Sequence, residues 1–364
     1  MQKEIAIDYT FARNRIGGMG VFVRNLTQSL KKYDKKNKYI TLVNPVKFND
    51  KNIFTKLISA AKSQLWYQFQ FGKELQKMGA NTLYSPNPPI PLFLKTPAIL
   101  TIPDMSFRFD DSINILTKYY LLLTYFVSAH KSFVITTFSK HSKNDISRIL
   151  KIKIEKIKVI PLAPSDEFIK LSKKAKTKYV FGKFNINKPY ILCTPGTFIP
   201  RKNVLDLLIA FSNLPKKIRS SYCVVLTGKQ TGSQFKKIQK FTSDNKLTKT
   251  IIFTGPVKTK TLVELYKNAD IFAHPSLYEG FGLTPLEAML CGIPTIVYKN
   301  SSLPEVVVDA SIFVDNSKGL ANAIVKLHTD TKIRRKLIKR GYKVSSSYSW
   351  ESVAGEYIRI SSGL

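Results

Sequence analysis

The sequence predicts an α/β protein in which two parallel β-sheets, each alternating with helices, face each other across a cleft. Short apolar runs of strand length alternate with segments of helical periodicity along most of the chain. The alternation stops once, between residues 163 and 188, where Lys, Ser and Asn dominate. Glycine-rich loops follow strands in both halves, where parallel sheets bind ligands. With 364 residues, 44% of them hydrophobic, the chain is long enough for two cores.

The first predicted strand leads into a glycine loop and a helix. Ile5–Tyr9 is the strand, and a loop ending in Gly17-Gly-Met-Gly20 precedes the helical pattern of Val21–Leu30. Gly17 and Gly18 would let the backbone approach a ligand closely, although a flexible turn is an alternative explanation. The spacing differs from G-x-G-x-x-G and the loop is long, which argues against a dinucleotide fingerprint.

Two long helical segments and five further strands complete the first half. Phe54–Met78 has a helical pattern, and Tyr119–Ala129 is an apolar run too short to span a bilayer, which we interpret as a buried helix. Asp104 directly follows the strand-like Ala98–Ile102, at the end of the strand where ligands bind; a solvated turn is the alternative. The other predicted strands are 39–43, 82–84, 133–137 and 158–161, with a helix starting at Ser139.

The second half repeats this order. Tyr190–Cys193 is its first strand, Gly196–Asn203 its loop and residues 204–211 its first helix. Arg201 and Lys202 stand just before that helix, where cationic side chains and free N–H groups can bind a pyrophosphate together; exposed loop cations are the alternative. The three cysteines lie far apart in apolar surroundings and indicate free thiols. Further strands are predicted at 223–228, 250–255, 269–273 and 295–298.

Two carboxylates flank a glycine turn between the last two of these strands. Glu279 lies on the turn, and Thr284-Pro-Leu-Glu287 fits a helix start with Thr284 as N-cap and Glu287 at the third helical position. A strand, a glycine loop and a helix N-terminus in this order form an anion site suited to phosphate. The two glutamates could be an acid/base pair, as in glycoside hydrolysis, or ligand-binding groups. For Glu287 a capping box is a further alternative.

The chain is strongly basic, with a formal net charge of +34, of which residues 1–190 carry +21. Such a charge attracts nucleic acid, an anionic membrane or phosphorylated substrates, unless the lysines are only spread over a solvated surface. The basic residues are scattered, without Cys/His finger spacing or an RNP-like strand, which argues against a nucleic-acid module. The first residues lack the apolar core of a signal peptide, so we expect a cytoplasmic protein that can bind the inner face of the plasma membrane.

Taken together, these stretches resemble the group 1 glycosyl transferases, which are retaining nucleotide-sugar glycosyltransferases of family four. The main resemblance is Tyr-Glu-Gly-Phe-Gly-Leu-Thr-Pro-Leu-Glu-Ala-Met at 278–289, with Glu279 and Glu287 separated by seven residues. It covers nearly the whole chain and implies a GT-B fold of two Rossmann-like domains facing across a cleft. Five further stretches resemble the family's motifs in the family's order: Gly17–Gly20, Ser139–Ser142, Val159–Pro161, Gly196–Asn203 and Phe253–Val257.

The resemblance also implies a division of the chain. The first domain would bind the acceptor, and the second would bind the nucleotide sugar. The final helix, around Trp350–Ile360, would pack back on the first domain. The predicted boundaries are 1–165 for the first domain, completed by 346–364, then 166–188 for a linker and 189–345 for the second domain.

Roles for individual residues follow from the same resemblance. Arg201 and Lys202 would neutralise the diphosphate as it leaves, Glu279 would hold sugar hydroxyls and phosphate together with the N–H groups of residues 280–283, and Glu287 would bind the ribose. Arg201, Lys202 and Glu279 are thus the expected catalytic residues, and Asp104 lies on the acceptor side. No metal or cofactor is expected, since no Asp-x-Asp pair is present and the four His are isolated. The expected donor-binding residues are Gly17, Gly18, Gly196, Gly228, Gly280, Phe281, Gly282, Leu283, Thr284 and Glu287.

One residue departs from the family pattern. Pro103 stands where the family usually has a His that helps to position the transferred sugar or the acceptor. Front-face attack can use the leaving phosphate as the base, so transfer with retention does not require that His. The expected function is a hexosyltransferase of cell-envelope polysaccharide synthesis with a glycan or lipid-linked acceptor. The loop Gly-Thr-x-x-Pro-Arg-Lys-Asn is similar to that of many mannosyl transferases and favours GDP-mannose.

Two other functions remain open at this stage. An epimerase or a phosphorylase shares the GT-B fold and would use the same donor-side residues. A catalytically inactive protein that binds nucleotide sugar at an anionic membrane surface is the second alternative, and it is prompted by Pro103 and by the net charge.

Overall fold

Twelve strands, each parallel to its neighbours, form two separate sheets in the residues that the computed structural model describes, namely 2–14, 17–46, 53–110 and 112–363. The two sheets confirm the predicted fold class. The first contains β1 (Glu4–Asp8), β2 (Lys38–Leu42), β3 (Thr82–Ser85), β4 (Ala98–Thr101), β5 (Val134–Thr137) and β6 (Ile157–Val159). The second contains β7 (Tyr190–Thr197), β8 (Cys223–Lys229), β9 (Ile251–Gly255), β10 (Ile271–His274), β11 (Thr295–Tyr298) and β12 (Ser311–Val314).

The strand order of the second sheet places the loops after β7 and β10 beside each other. The order is β2-β1-β3-β4-β5-β6 in the first sheet and β12-β11-β10-β7-β8-β9 in the second. In the second sheet the strand sequence runs outward in both directions from the neighbours β7 and β10, so the loops after these two strands border the crevice where parallel sheets bind ligands. No strand was predicted at β12, whose two central residues are only partly buried.

Helices cover both faces of the sheets. Those of the first half are α1 (Thr10–Asn14), α2 (Gly18–Tyr33), α3 (Ile53–Phe69), α4 (Phe71–Lys77), α5 (Ile115–Lys131) and α6 (Lys140–Leu150). Those that follow are α7 (Asp166–Ser172), α8 (Tyr179–Lys183), α9 (Val204–Ser212), α10 (Lys216–Ser221), α11 (Ser233–Asp244), α12 (Thr259–Asn268), α13 (Leu283–Leu290), α14 (Leu303–Val307), α15 (Ser317–Thr329), α16 (Thr331–Ser346) and α17 (Trp350–Ser362).

Two predicted helices differ from the structure. The segment Phe54–Met78 is two helices, α3 and α4, which meet at Gln70. The prediction of a buried helix at Tyr119–Ala129 was wrong, because only one side of α5 packs on the core. Leu121 and Leu122 are partly buried there, whereas Leu123 is 63% exposed on the opposite side. An apolar composition therefore did not mean burial.

The connection between the two sheets is partly helical. Residues 166–188, expected as a linker, contain α7 and α8, and their side chains Phe168 and Val180 are buried in the core of the second half with Tyr190 and Tyr266. The predicted domain boundaries remain a prediction. The loop before Gly17 contains α1, and its residues 15 and 16 lie outside the described part of the chain.

The last helix returns to the first half, as predicted. The phenol of Tyr357 on α17 lies 2.9 Å from the hydroxyls of both Thr101 and Thr136, and Tyr84 donates to the Tyr357 carbonyl at 2.9 Å. Trp350 donates through Nε1 to the carbonyl oxygen of Pro164 at 3.0 Å. Helix α17 thus completes the packing of the first half.

Candidate functional site

The loops after β7 and β10 are joined to each other at the crevice of the second sheet. Arg201 and Lys202 lie in a short 3-10 turn, Pro200–Lys202, after β7. The Arg201 carbonyl accepts the N–H of Leu277 at 2.7 Å and the hydroxyl of Ser276 at 3.2 Å, both from the loop after β10. These bonds fix the two predicted cations beside the loop that carries Glu279.

Glu279 is the centre of a charged cluster. Its Oε1 lies 2.5 Å from Lys202 Nζ and 3.1 Å from His274 Nε2, and its Oε2 lies 3.7 Å from Arg201 Nη1. The side chains of Lys202 and Glu279 are only 15% and 12% exposed. Two cations face one carboxylate, so the cluster has an excess of positive charge when His274 is neutral.

The ionisation of this cluster follows from its neighbours. Burial raises the pKa of Glu279, but Lys202, His274 and Arg201 outweigh it and hold the pKa well below its usual value. Burial lowers the pKa of His274, against the opposing effect of Glu279, so the imidazole is neutral at pH 7. The sequence analysis treated the four His as isolated and missed His274, although it lies only five residues before Glu279.

The backbone around Glu279 is held by the loop after β11. The N–H of Glu279 donates to Ser301 Oγ at 2.9 Å. Ser302 Oγ lies 2.8 Å from the carbonyl oxygens of both Glu279 and Phe281. The Phe281 ring packs edge-on against Tyr348, away from the cleft, so only its backbone can serve a ligand. Neither serine was identified from the sequence.

Helix α13 begins two residues earlier than predicted, at Leu283 rather than Pro285. Gly282 precedes it with φ 96°, and a Cβ there would lie 2.6 Å from Leu303 Cδ2, so glycine is required on two grounds. The prediction of Thr284 as N-cap was wrong, since it is the second helical residue and its Oγ1 lies 3.3 Å from His274 Nδ1. Glu287 is consequently not the third helical residue, and the capping-box alternative is wrong.

Glu287 instead meets a phenol. Tyr266 on α12 donates to Glu287 Oε2 at 3.1 Å, and the same phenol lies 2.9 Å from Thr194 Oγ1. Burial raises the pKa of Glu287 to about 8, although the Tyr266 hydrogen bond opposes the shift. The carboxyl group is therefore mostly protonated at neutral pH, and it can both donate and accept a hydrogen bond.

A cavity of about 340 Å³ lies between the two domains beside Glu287. It has a size typical of small-molecule sites. The glycine loops of both halves contribute to its wall, as do Trp350, Thr227 and Tyr266, which the sequence analysis did not include among the site residues. The predicted donor-binding residues that line it are Gly18, Gly196, Gly228, Leu283, Thr284 and Glu287, whereas Gly17, Gly280, Phe281 and Gly282 do not.

Two glycines allow close backbone contacts at this site. A Cβ on Gly228 would lie 2.9 Å from the carbonyl carbon and oxygen of Gly196, at an irregularity between β7 and β8. A Cβ on Gly280 would lie 2.5 Å from Asp104 Oδ2 and 2.9 Å from the Pro103 carbonyl oxygen. Asp104, from the first domain, is thus in direct contact with the loop that carries Glu279.

Helix α6 of the first domain also contacts that loop. Ser142 Oγ donates to the Gly280 carbonyl at 3.1 Å, and the Tyr278 hydroxyl donates to Asp145 Oδ2 at 2.8 Å. The N–H groups of Lys140 and His141 each donate to a carboxylate oxygen of Glu305 at 3.0 Å. The predicted helix start at Ser139 is confirmed, because its Oγ accepts the Ser142 N–H.

Within the described ranges, no group of three or more His, Cys, Asp or Glu side chains is arranged to hold a metal ion. No helix in that part of the chain is both long and apolar enough to cross a membrane. The three cysteines are free thiols, two of them buried and Cys291 partly buried.

Comparison with protein families and curated proteins finds similarity to glycosyltransferases. A family model described as "Glycosyl transferases group 1" matches residues 176–344. O-antigen chain mannosyltransferase B of Escherichia coli is 32% identical over 230 residues, which are 62% of this chain and 59% of that protein. The serotype-specific mannosyltransferase WbdA of Escherichia coli is 30% identical over 224 residues, which are 60% of this chain and 27% of that protein. The match therefore spans only part of each relative's length.

Solved structures share the complete fold at low sequence identity. Sucrose-phosphate synthase from Thermosynechococcus elongatus aligns with a TM-score of 0.78 and 18% identity over 100% of this chain and 99% of its own. HepE of Anabaena, in complex with UDP and glucose, aligns with a TM-score of 0.75 and 16% identity over the whole of both chains. The resemblance to the group 1 glycosyl transferases is confirmed: residues 176–344 match the model of that family, and the chain has the GT-B fold of two facing Rossmann-like domains.

Proposed function

We propose that this protein is a retaining glycosyltransferase that moves a hexose from a nucleotide diphosphate sugar to a glycan or lipid-linked acceptor in cell-envelope polysaccharide synthesis. The observation that carries the proposal is the buried cluster of Lys202, Arg201 and Glu279, which His274 links to Thr284 in the wall of the cavity that Glu287 also lines. Such a cluster presents preformed positive charge to an anion, which is what the departure of a diphosphate requires.

The proposed reaction exchanges one bond at the anomeric carbon. The acceptor hydroxyl oxygen forms a bond to that carbon, while the bond to the diphosphate oxygen breaks and its electron pair leaves with the nucleoside diphosphate. The acceptor proton passes to the departing phosphate oxygen on the same face. Lys202 and Arg201 stabilise the negative charge of the leaving group, and Glu279 accepts hydrogen bonds from the sugar hydroxyls.

The remaining residues bind the donor in this proposal. Glu287 bonds the two ribose hydroxyls, one as donor and one as acceptor, and the free N–H groups at the start of α13 bind phosphate. No metal ion takes part, since Lys202 and Arg201 supply the positive charge. Mannose from GDP-mannose is the proposed transfer, supported by the mannosyltransferase names of the two relatives. The protein would work in the cytoplasm, at the inner face of the plasma membrane.

Transfer assays on the full chain with a panel of nucleotide sugars test the proposal. Lys202→Ala should reduce kcat by about 100- to 1000-fold, because it removes one preformed charge at the leaving group while Arg201 and His274 remain beside Glu279. Lys343→Ala is the matched control, since Lys343 is exposed on α16. Glu279→Ala and Glu287→Ala should also lose activity, the second mainly through weaker donor binding.

Four outcomes would count against the proposal. Full activity in all three alanine variants would refute the site. A product with inverted anomeric configuration would refute retention. Tight donor binding without turnover on any acceptor would favour the inactive binding protein, for which Pro103 is the structural reason. Conversion of the donor without an acceptor would favour the epimerase-like alternative.

A further inference from the structure

An apolar surface covers the outer side of the first domain. Leu116 is 78% exposed and Phe93 is 71% exposed, which is unusual for side chains of this size. We define the apolar surface by the exposed residues of α5, α3 and the loop between β3 and β4. They are Ile115, Leu116, Tyr119, Tyr120, Leu123 and Phe126 on α5, Leu65 and Phe69 on α3, and Leu92 and Phe93 on the loop.

The three segments form one continuous surface. The rings of Phe69 and Phe93 stack with centroids 6.2 Å apart, which joins α3 to the loop. The N–H of Leu92 donates to Gln68 Oε1 at 2.8 Å, and the ammonium of Lys131 at the end of α5 bonds the Leu92 carbonyl. The exposed apolar side chains are therefore held in fixed positions by the fold.

The charge around the apolar surface is positive. Helix α5 contains no acidic residue, and none occurs from Ser112 to Asn144. Exposed lysines surround it on the neighbouring segments, including Lys62 on α3, Lys73 on α4 and Lys95 on the loop. Apolar and aromatic side chains with a basic border are typical of proteins that lie in the interface of an anionic bilayer.

We propose that the apolar surface inserts into the headgroup region of a bilayer that contains anionic lipid. A second copy of this chain is a poor occupant, because two basic surfaces of chains with a net charge of +34 would repel each other. Tyrosine and leucine on one side of a helix suit the bilayer interface, where the acyl chains are apolar and the headgroups are hydrated. The lysines then lie at the level of the lipid phosphates.

The location of α5 gives the proposal a consequence for the cleft. Its inner side packs on the turn Ser106–Arg108, where the rings of Tyr125 and Phe107 are 4.9 Å apart. That turn follows Asp104, which contacts Gly280. Helix α5 and this turn therefore lie between the apolar surface and Asp104 on the acceptor side of the cleft. This consequence rests on the proposed function, whereas membrane binding itself does not.

Co-sedimentation of the full chain with phosphatidylcholine vesicles, with and without phosphatidylglycerol, tests the proposal in the absence of nucleotide sugar. The protein should sediment with the anionic vesicles, and less so as salt is raised. Leu116→Ser with Leu123→Ser removes apolar area without a change in charge and should weaken binding by about tenfold or more. Leu116→Glu with Leu123→Glu should weaken it further.

The matched control places two glutamates elsewhere. Tyr179→Glu with Ser243→Glu changes the charge equally at exposed positions of the second half and should bind vesicles much as the wild type does. A cooperative thermal unfolding transition near the wild-type midpoint, measured without nucleotide, shows that each variant is folded. Equal sedimentation of the wild type and the Leu→Ser variant would overturn the proposal. So would a wild-type dimer that this variant converts to a monomer while sedimentation is unchanged. Failed vesicle binding would leave the donor assays unaffected, so the two proposals fail separately.

Discussion

Glu279 and Glu287 are separated by seven residues, the first on a loop and the second on the helix that follows it. Their surroundings nevertheless shift their pKa values in opposite directions. Glu279 lies against Lys202 and Arg201, which hold its pKa well below the usual value despite burial. Glu287 accepts a hydrogen bond from the phenol of Tyr266, and burial raises its pKa to about 8. The loop after β7, which carries Arg201 and Lys202, therefore determines which glutamate is charged; the spacing of the pair does not.

The largest expected effect comes from removing the charge of Glu279. Glu279→Gln removes the carboxylate that faces the Lys202 ammonium and the Arg201 guanidinium. The loss should lower the free energy of unfolding by about 3 kcal/mol. The pKa of Glu279 is lowered in the folded state, so its stabilisation is present above its unfolded pKa and is lost as the pH falls through the folded value. Urea unfolding at pH 8 and in acid would measure the difference, with exposed Glu351→Gln as the control. An unchanged midpoint at pH 8 would contradict the comparison.

The same substitution at Glu287 should act in the opposite direction. Its folded-state pKa is raised, so the contribution to stability is full below the unfolded pKa near 4.5 and is lost as the pH rises through about 8. Glu287→Gln should therefore melt several degrees above the wild type at pH 9, and the gap should shrink toward pH 5. Scanning calorimetry in the absence of ligand checks this, and exposed Glu155→Gln serves as the control. A gap that does not vary with pH would show that Glu287 is charged throughout.

The smallest effect concerns the phenol that bonds Glu287. Tyr266→Phe removes the donor to Glu287 and the partner of Thr194, and should cost about 1 kcal/mol of stability. The pKa of Glu287 should rise further, because the Tyr266 hydrogen bond lowers it. Carbon-13 NMR titration of the Glu287 carboxyl would detect the rise, with Tyr179→Phe as the control. An unchanged titration curve would remove Tyr266 from the explanation of the comparison.

Most of the architecture could be predicted from local pattern. Strands in parallel sheets are short apolar runs that helices separate, and this order is visible in the sequence for eleven of the twelve strands in the described ranges. The positions of Lys202, Arg201 and Glu279 at strand ends were predicted for the same reason. That these side chains touch is a consequence of the strand order, which places β7 beside β10.

Other features depend on contacts between distant segments. Tyr266 lies on α12, a different helix from Glu287, and Ser301 holds Glu279 from the loop after β11. Local pattern does not reveal which phenol or hydroxyl will meet a carboxylate. The error at α5 has a different cause, because an apolar run predicts a helix equally well whether its outer side meets protein or remains exposed.

The hydrogen bond between Trp350 and Pro164 has a mechanical consequence. The chain crosses between the domains twice, before α7 and before α17, and this bond ties the two crossings together. Two interdomain crossings that are bonded at one point act as a hinge. Opening of the cleft would then be a rotation about Trp350. The contacts of Asp104 with Gly280 and of Glu305 with α6, which lie across the cleft, would break as it opens.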